Sequence, residues 1–325
     1  MSAQEIRLVR RPEGRSVAGD FALHDAPMPA LRDGDALVEL NWLSIDPYLH
    51  ERAIGERAGP RVALGSCMPG RAIGRVIDGA LPGGTLVVGE LGWRSHAVAP
   101  ASSLTPLPAD ERLSPTCWLG VLGVPGFTAW ISLFRLHRLE AGQTLLVTSA
   151  AGTVGSIAVQ LAHAAGARVV GIVGGTAKVE WLRGMGATAV DRNDPRGLAH
   201  ALADACQGGG ADALLDLAGG PVLEAALACA KPRARVVLAG HVGSYGTREA
   251  TIDADLVLSR RLTVHGLLIH DHAADFAAAR EALRALALQG RVTVRETVHE
   301  GLSSAPAALQ ALLEGRGIGK HLVRL

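Results

Sequence analysis

Apolar and polar positions along the chain follow two different rhythms. Through residues 1–120 short apolar runs are broken by proline and glycine, as in ALVELNWLSI (36–45), TLVVGELGW (85–93) and SHAVAP (95–100). Runs of this length with such boundaries predict strands of an irregular β-rich domain. From residue 121 β-branched runs alternate with stretches of helical spacing. Strands are predicted at TLLVTS (144–149), RVVGIV (168–173), TAV (188–190), ADALLDLAG (211–219), ARVVLAG (234–240) and RLTVHGLLI (261–269). Between them, Val154, Ile157, Ala158, Leu161 and Ala165 mark one helical face, and further helices are predicted over 176–186, 197–207, 221–230 and 272–290. This alternation is the repeating unit of a doubly wound parallel sheet.

The end of the chain changes rhythm again, with a strand at RVTVRETV (291–298), a helix over 306–314 and a strand at HLVRL (321–325). The first domain otherwise lacks partners for its sheet, so the tail is expected to rejoin it. The expected division is 1–120 with 291–325, and 121–290.

Composition supports two folded domains. Of the 325 residues 48% are apolar and 19% charged, enough to build sizeable cores. The formal net charge is +1 and no long basic block occurs, which argues against a nucleic-acid partner. Cys67, Cys117, Cys206 and Cys229 are scattered without a CxxC pair and read as separate buried thiols. Residues 143–167 carry no Asp, Glu, Lys or Arg, a length that could span a membrane. Inside that stretch, however, a β-branched run, a glycine turn and a helical pattern follow one another, so two buried elements are expected. The first residues carry charges and no apolar core of a signal peptide. The expectation is a cytoplasmic protein without a membrane segment.

The strongest chemical feature is Ala150-Ala151-Gly152-Thr153-Val154-Gly155, between a predicted strand and a predicted helix. It reads as the dinucleotide fingerprint GxGxxG with alanine at its first glycine. Gly152 lets backbone approach a pyrophosphate, Gly155 lets the helix pack on the strand, and the helix start offers N–H groups to phosphate. A tight structural turn is the competing reading. Ala151, Gly152, Thr153, Val154 and Gly155 are therefore candidate cofactor contacts.

The end of the second strand reads Val173-Gly174-Gly175-Thr176-Ala177-Lys178, without the acid that bonds an NAD ribose. Gly174 and Gly175 leave room for a 2′-phosphate, and Lys178 can neutralise it. Arg192 is a second candidate for the same phosphate, and both cations also read as solvated surface charges. NADPH is the expected cofactor.

With these residues placed, the chain resembles the medium-chain dehydrogenase/reductase superfamily, and within it the zinc-free branch of prostaglandin and alkenal/one double-bond reductases. The resemblance runs nearly end to end, through LSIDPYL (43–49), GWRSHAVA (92–99), LGVLGVPGFTAW (119–130), SAAGTVGS (149–156), GGTAK (174–178), GHVGSY (240–245) and GKHLVRL (319–325). It implies a Rossmann domain with a GroES-like substrate domain. Zinc-dependent relatives carry a Gly-His-Glu segment where this chain has Pro69-Gly70-Arg71-Ala72, so no metal is expected.

The resemblance further implies hydride transfer from NADPH to the β-carbon of a small enone or enal. Tyr48 and Tyr245, the two tyrosines of the chain, both fall in matching motifs. Tyr48 is a candidate oxyanion donor or lining residue, Tyr245 a neighbour of the cofactor, and Thr128 a contact to the nicotinamide-side phosphate. His50 stands where many relatives have a substrate-facing Arg and is carried as a substrate contact. His270, where relatives often have Tyr, is a candidate proton donor or an ordinary loop histidine. Leu217 and Gly317 replace asparagines common in relatives. A quinone reductase on the same fold and a non-catalytic NADPH-binding sensor are the alternatives, and a homodimer is expected.

Overall fold

Burial along Asp35–Ile45 alternates at first, with Ala36, Val38 and Leu40 inward and Leu37 and Glu39 outward, as a strand with one face on a core requires. The same logic organises the whole chain. The structure, a computed structural model, describes residues 2–55, 59–108, 112–244 and 251–325. The first stretch gives β1 (Ala3–Leu8), β2 (Phe21–Ala26), β3 (Asp35–Ile45), α1 (Tyr48–Ile54), β4 (Arg71–Gly79), β5 (Leu86–Glu90), β6 (His96–Pro100) and β7 (Thr105–Pro106). The middle gives α2 (Val124–Ile131), β8 (Thr144–Val147), α3 (Thr153–Ala164), β9 (Arg168–Val173), α4 (Thr176–Gly184), β10 (Thr188–Asp191), α5 (Leu198–Ala205) and β11 (Ala211–Asp216). It continues with α6 (Gly220–Ala228), β12 (Ala230–Leu238), α7 (Ala254–Arg260), β13 (Thr263–Gly266) and α8 (Phe276–Leu288). The tail is β14 (Glu296–Glu300), α9 (Ala305–Leu313) and β15 (Lys320–Arg324).

Two units result, one built from the chain before Gly120 together with Glu296–Leu325, the other from Gly120–Arg295. In the first, the sheet order is β14-β15-β3-β4-β5-β7, with β6 also on β3 and β1–β2 as a separate pair. All these pairs are antiparallel except β14–β15. Ile73, Val88, Leu107, Leu119 and Leu322 form one buried cluster of this unit.

A buried cation fastens the tail strand. Lys320 is 1% exposed, and its ammonium donates to the Ile45 carbonyl at 3.0 Å and to the Asp46 carboxylate. Asp46 in turn accepts from the Ser44 hydroxyl. Because β15 pairs with β3 through His321–Ile45 and Arg324–Trp42, this ion pair sits where strand pairing ends and α1 begins.

The second unit is a parallel sheet of order β10-β9-β8-β11-β12-β13. Counted from β8 this is 3-2-1-4-5-6, the doubly wound order. A cluster around Leu146, Val170, Ile172, Leu202, Leu214, Leu227 and Val236 fills one layer. No helix among the described residues is long and apolar enough to cross a membrane; the uncharged stretch 143–167 divides into β8 and α3.

Four elements depart from the sequence pattern. The strand expected over 291–298 begins at Glu296, because Val292 is buried and Thr293 exchanges backbone hydrogen bonds with the Gln160 side chain instead of a strand. β13 is shorter than 261–269. The helix expected from 272 starts at Phe276, after a 3₁₀ stretch Ile269–Asp275 whose His272 breaks the helical dihedrals. α7 was not expected; Asp253 caps it by accepting from the N–H groups of Asp255 and Leu256.

Two tests follow from these buried polar groups. Lys320→Ala strands the Asp46 carboxylate, and urea unfolding is expected to record a loss of about 3–5 kcal/mol. The Lys320→Met, Asp46→Asn pair should recover part of that loss; a wild-type midpoint for Lys320→Ala would remove the pair from the account.

The second test concerns His137, which is 4% exposed and hydrogen-bonds the Leu214 carbonyl at 3.0 Å through Nε2. Burial first, with His265 and Arg235 adding repulsion, lowers its pKa from 6.5 to about 4. The unfolded chain therefore takes up this proton before the native one does. The stability it confers is complete above pH 6.5 and drains away as pH falls toward 4, by about 3 kcal/mol in all. His137→Asn should flatten the stability curve in that window, and an unchanged slope would refute the assignment.

Candidate functional site

The turn after β8 is held by backbone before any ligand is considered. Ala150 N–H donates to the Ile172 carbonyl at 3.0 Å, fixing the turn to β9, and Gly152 N–H donates to the Ser149 carbonyl at 2.9 Å. Ser149 takes a left-handed φ of 49° to make this reversal. α3 then starts after Gly152, which has no side chain with which to cap it. The start of a helix directs backbone N–H groups and the positive end of its dipole outward, which suits an anion. A Cβ on Gly155 would lie 2.5 Å from the Ser149 carbonyl oxygen and 2.7 Å from Ala150 Cα, so only glycine allows this packing. Ala151 is buried, while Gly152, Thr153 and Val154 are half-buried along the turn.

Next to it, the end of β9 presents two cations. A Cβ on Gly174 would meet Arg192 Nε at 2.9 Å, so the guanidinium lies over a residue without a side chain. Gly175, at φ 90°, starts α4, and its N–H donates to Asp191 Oδ1 at 3.2 Å. Lys178, in the first turn of α4, is half-buried. Burial, and then the Arg192 charge, hold its ammonium below the ordinary lysine range. A cation weakened by a neighbouring cation gains from a shared anion. Gly174, Gly175, Lys178 and Arg192 are thus brought together at the carboxyl ends of β9 and β10. Asp191, which the sequence reading passed over, orders the loop by also accepting from Asn193 N–H at 3.0 Å.

Between β8 and β11, where the strand order reverses, a buried polar network holds the loop after β11. Thr148 donates its hydroxyl to Asp216 Oδ1 at 2.7 Å and accepts from Leu217 N–H at 2.8 Å. Asp216 also accepts from Gly219 N–H at 2.9 Å. Burial raises the Asp216 pKa against these bonds. The residue where relatives often have Asn, Leu217, is buried here and serves through its backbone. Residues 240–243 lie against this loop, Gly243 N–H donating to the Ala218 carbonyl at 2.7 Å. Tyr245 lies outside the described residues.

Thr128 is 7% exposed, and its hydroxyl donates to the Val124 carbonyl of its own helix at 2.9 Å. His270 is exposed in the 3₁₀ stretch after β13, and among the described residues no hydrogen bond aims its ring.

In the first unit, Tyr48 opens α1 directly after Asp46-Pro47. Its hydroxyl is buried and has no hydrogen-bond partner among the described residues. Burial, then the charges of Glu90 and Asp46, push its pKa far up, so the proton stays on Oη. Glu90 also lines a cavity of about 360 Å³ with Arg52, Cys67, Met68 and Arg94. His50 is 0% exposed, with Nδ1 accepting from Ser16 N–H at 3.3 Å and lying 2.8 Å from Ser16 Oγ. On the inward face of α1 it holds the Ser16 segment.

Comparison with known proteins places this geometry. Residues 4–107 match the family model described as the N-terminal domain of oxidoreductase, and residues 153–287 match one described as zinc-binding dehydrogenase. Mouse prostaglandin reductase 1 is 31% identical, with 100% of this chain and 99% of that protein covered. The chain belongs to the zinc-free branch of the medium-chain dehydrogenase/reductase family. Within that branch the NADPH-dependent curcumin reductase of Escherichia coli is 30% identical over 98% of this chain and 95% of its own. The crystal structure of CurA from Vibrio vulnificus superposes with a TM-score of 0.92 at 28% identity, covering 99% of this chain and 98% of that one; CurA is also known in complex with NADPH. In this medium-chain reductase, no group of three or more His, Cys, Asp or Glu side chains is placed to hold a metal ion among the described residues.

Proposed function

We propose that this chain reduces the carbon–carbon double bond of small apolar enones or enals, using NADPH. The observation that carries the reading is the Arg192 guanidinium over Gly174, with Lys178 near enough to feel its charge, where an acid would repel a 2′-phosphate. The uncapped start of α3 at Gly152 and the close approach at Gly155 fit the pyrophosphate of the same cofactor. The names of the full-length relatives, a prostaglandin reductase and an NADPH-dependent curcumin reductase, support the same chemistry.

Bound NADPH supplies a hydride to the electron-poor β-carbon. The work left to the protein is to orient the reactants and to meet the negative charge that develops on the carbonyl oxygen. Tyr48 is the proposed donor, since its hydroxyl keeps its proton and has no competing partner among the described residues. Thr148 and Asp216 are proposed to position the loop after β11 for the cofactor. Because no hydrogen bond aims the His270 ring among the described residues, return of a proton to the α-carbon is assigned to solvent. β13 is an edge strand, and Leu268 just beyond it is 60% exposed, which fits pairing with a second copy.

Purified protein should oxidise NADPH in preference to NADH with small enals and enones, and mass spectrometry should identify saturated carbonyls. Lys178→Ala should cut kcat/KM for NADPH about tenfold to a hundredfold, leaving NADH nearly unchanged. An unaltered cofactor ratio would refute the phosphate assignment, and hydroquinone as the sole product would move the function to quinone reduction. Separately, Tyr48→Phe should lower kcat by about a hundredfold or more with NADPH affinity retained. Wild-type kcat in that variant would exclude Tyr48 as the donor.

A further inference from the structure

Cys206 and Cys229 are far apart in the sequence but adjacent in the fold. Cys206 follows α5 and Cys229 follows α6 as their C-cap residues, and both pack in one apolar cluster with Leu202 and Leu227. The backbone fixes their approach. Cys229 O accepts from Ala211 N–H at 2.9 Å, and Ala211 pairs with Ala230 where β11 and β12 begin. The two thiols are close enough for each to shift the ionisation of the other. Cys206 is 5% exposed, while Cys229 is half-buried and reachable.

The charges around the pair make the two sulfurs unequal. The neighbouring Cys206 thiol, with the Arg260 guanidinium, outweighs burial and lowers the Cys229 thiol below the ordinary range. The same proximity and burial raise Cys206, against the opposing pull of Arg168 and Lys231. Arg260 is itself held in place by donating to the Ala230 carbonyl. Burial instead raises Cys67 and Cys117 above the ordinary thiol range.

We propose that Cys206 and Cys229 are an oxidisable dithiol, a modification site at which hydroperoxides convert the pair to an intramolecular disulfide. In the first step the Cys229 thiolate attacks a peroxide oxygen; an S–O bond forms, the O–O bond breaks, and the leaving alkoxide or hydroxide takes a proton. In the second, the Cys206 sulfur attacks the resulting sulfenic acid; S–S forms, S–O breaks, and the hydroxyl leaves as water with the Cys206 proton. Two thiols are oxidised by two electrons and one peroxide is reduced to an alcohol, or to water, with a further water released. The pair lies at the amino ends of β11 and β12, the opposite end of the parallel sheet from the nucleotide turn, so the inference stands apart from the proposed reductase activity.

The test is peptide mapping of the full-length protein after treatment with stoichiometric hydrogen peroxide, with free thiols alkylated before digestion. The expected result is a Cys206–Cys229 linked peptide lighter by two hydrogens, reversed by dithiothreitol, with Cys67 and Cys117 still alkylated. In untreated protein near neutral pH, Cys229 should react with iodoacetamide about tenfold faster than Cys67. Cys206→Ala should leave a sulfenic acid on Cys229 that dimedone traps, and should move the alkylation midpoint upward; Cys206→Ser serves as the volume-matched control. Oxidation that begins at Cys67 or Cys117, a link between two chains, or an intact Cys206–Cys229 thiol pair after treatment would each overturn the proposal.

Discussion

The ammonium of Lys320, buried between the Ile45 carbonyl and the Asp46 carboxylate, fixes how the first unit closes. A buried charge is tolerated only when it is paired and its hydrogens are used, and both conditions tie β15 to the last turn of β3. The residues that follow, Pro47 and Tyr48, inherit their position from that bond. The one side chain proposed to meet substrate charge in this unit therefore rests on a contact between residues at opposite ends of the chain. Ser44 adds a second bond to the same carboxylate, so the turn is held from both sides.

The second unit reaches a similar end by different means. Its central strands β8, β9 and β11 are buried on both faces and carry little polar chemistry, so the site is built where strands stop. Thr148 and Asp216 hold the β8 and β11 ends as Lys320 and Asp46 hold the turn in the first unit, here by satisfying backbone N–H groups that a bare loop would leave unpaired. Around β9 and β10 the opposite device is used, since Gly174 and Gly175 remove side chains and admit two cations. Rigid loops at one place and open backbone at the other are what a long, anionic cofactor requires.

Much of this was legible in the sequence where the signal is local. The strand–turn–helix around Gly152 and Gly155, the two-glycine break before Lys178 and the alternation of strands and helices in the second unit all follow from short-range rhythm. What escaped was set by distant partners. Nothing near Lys320 announces a carboxylate placed early in the chain, and Asp216 reads as the polar end of an ordinary strand. The turn of the His50 side chain inward to Ser16 is likewise set by a distant partner. The Thr128 hydroxyl bonds its own turn, as a hydroxyl near a helix start readily does. α7 had a signal, the Asp253 cap, but it is a short helix with no buried residue to give it a rhythm.

The interruption of the first unit by the second has a consequence for synthesis. During translation β3 emerges early, yet its pairing along Trp42–Ile45 waits for β15, which follows the entire second unit. Until then the nascent chain carries an apolar strand edge with its backbone groups unpaired, the feature that invites pairing with other chains. The second unit, continuous in sequence, is free to fold as soon as α8 has left the ribosome. The order of assembly is thus inverted relative to the order of synthesis.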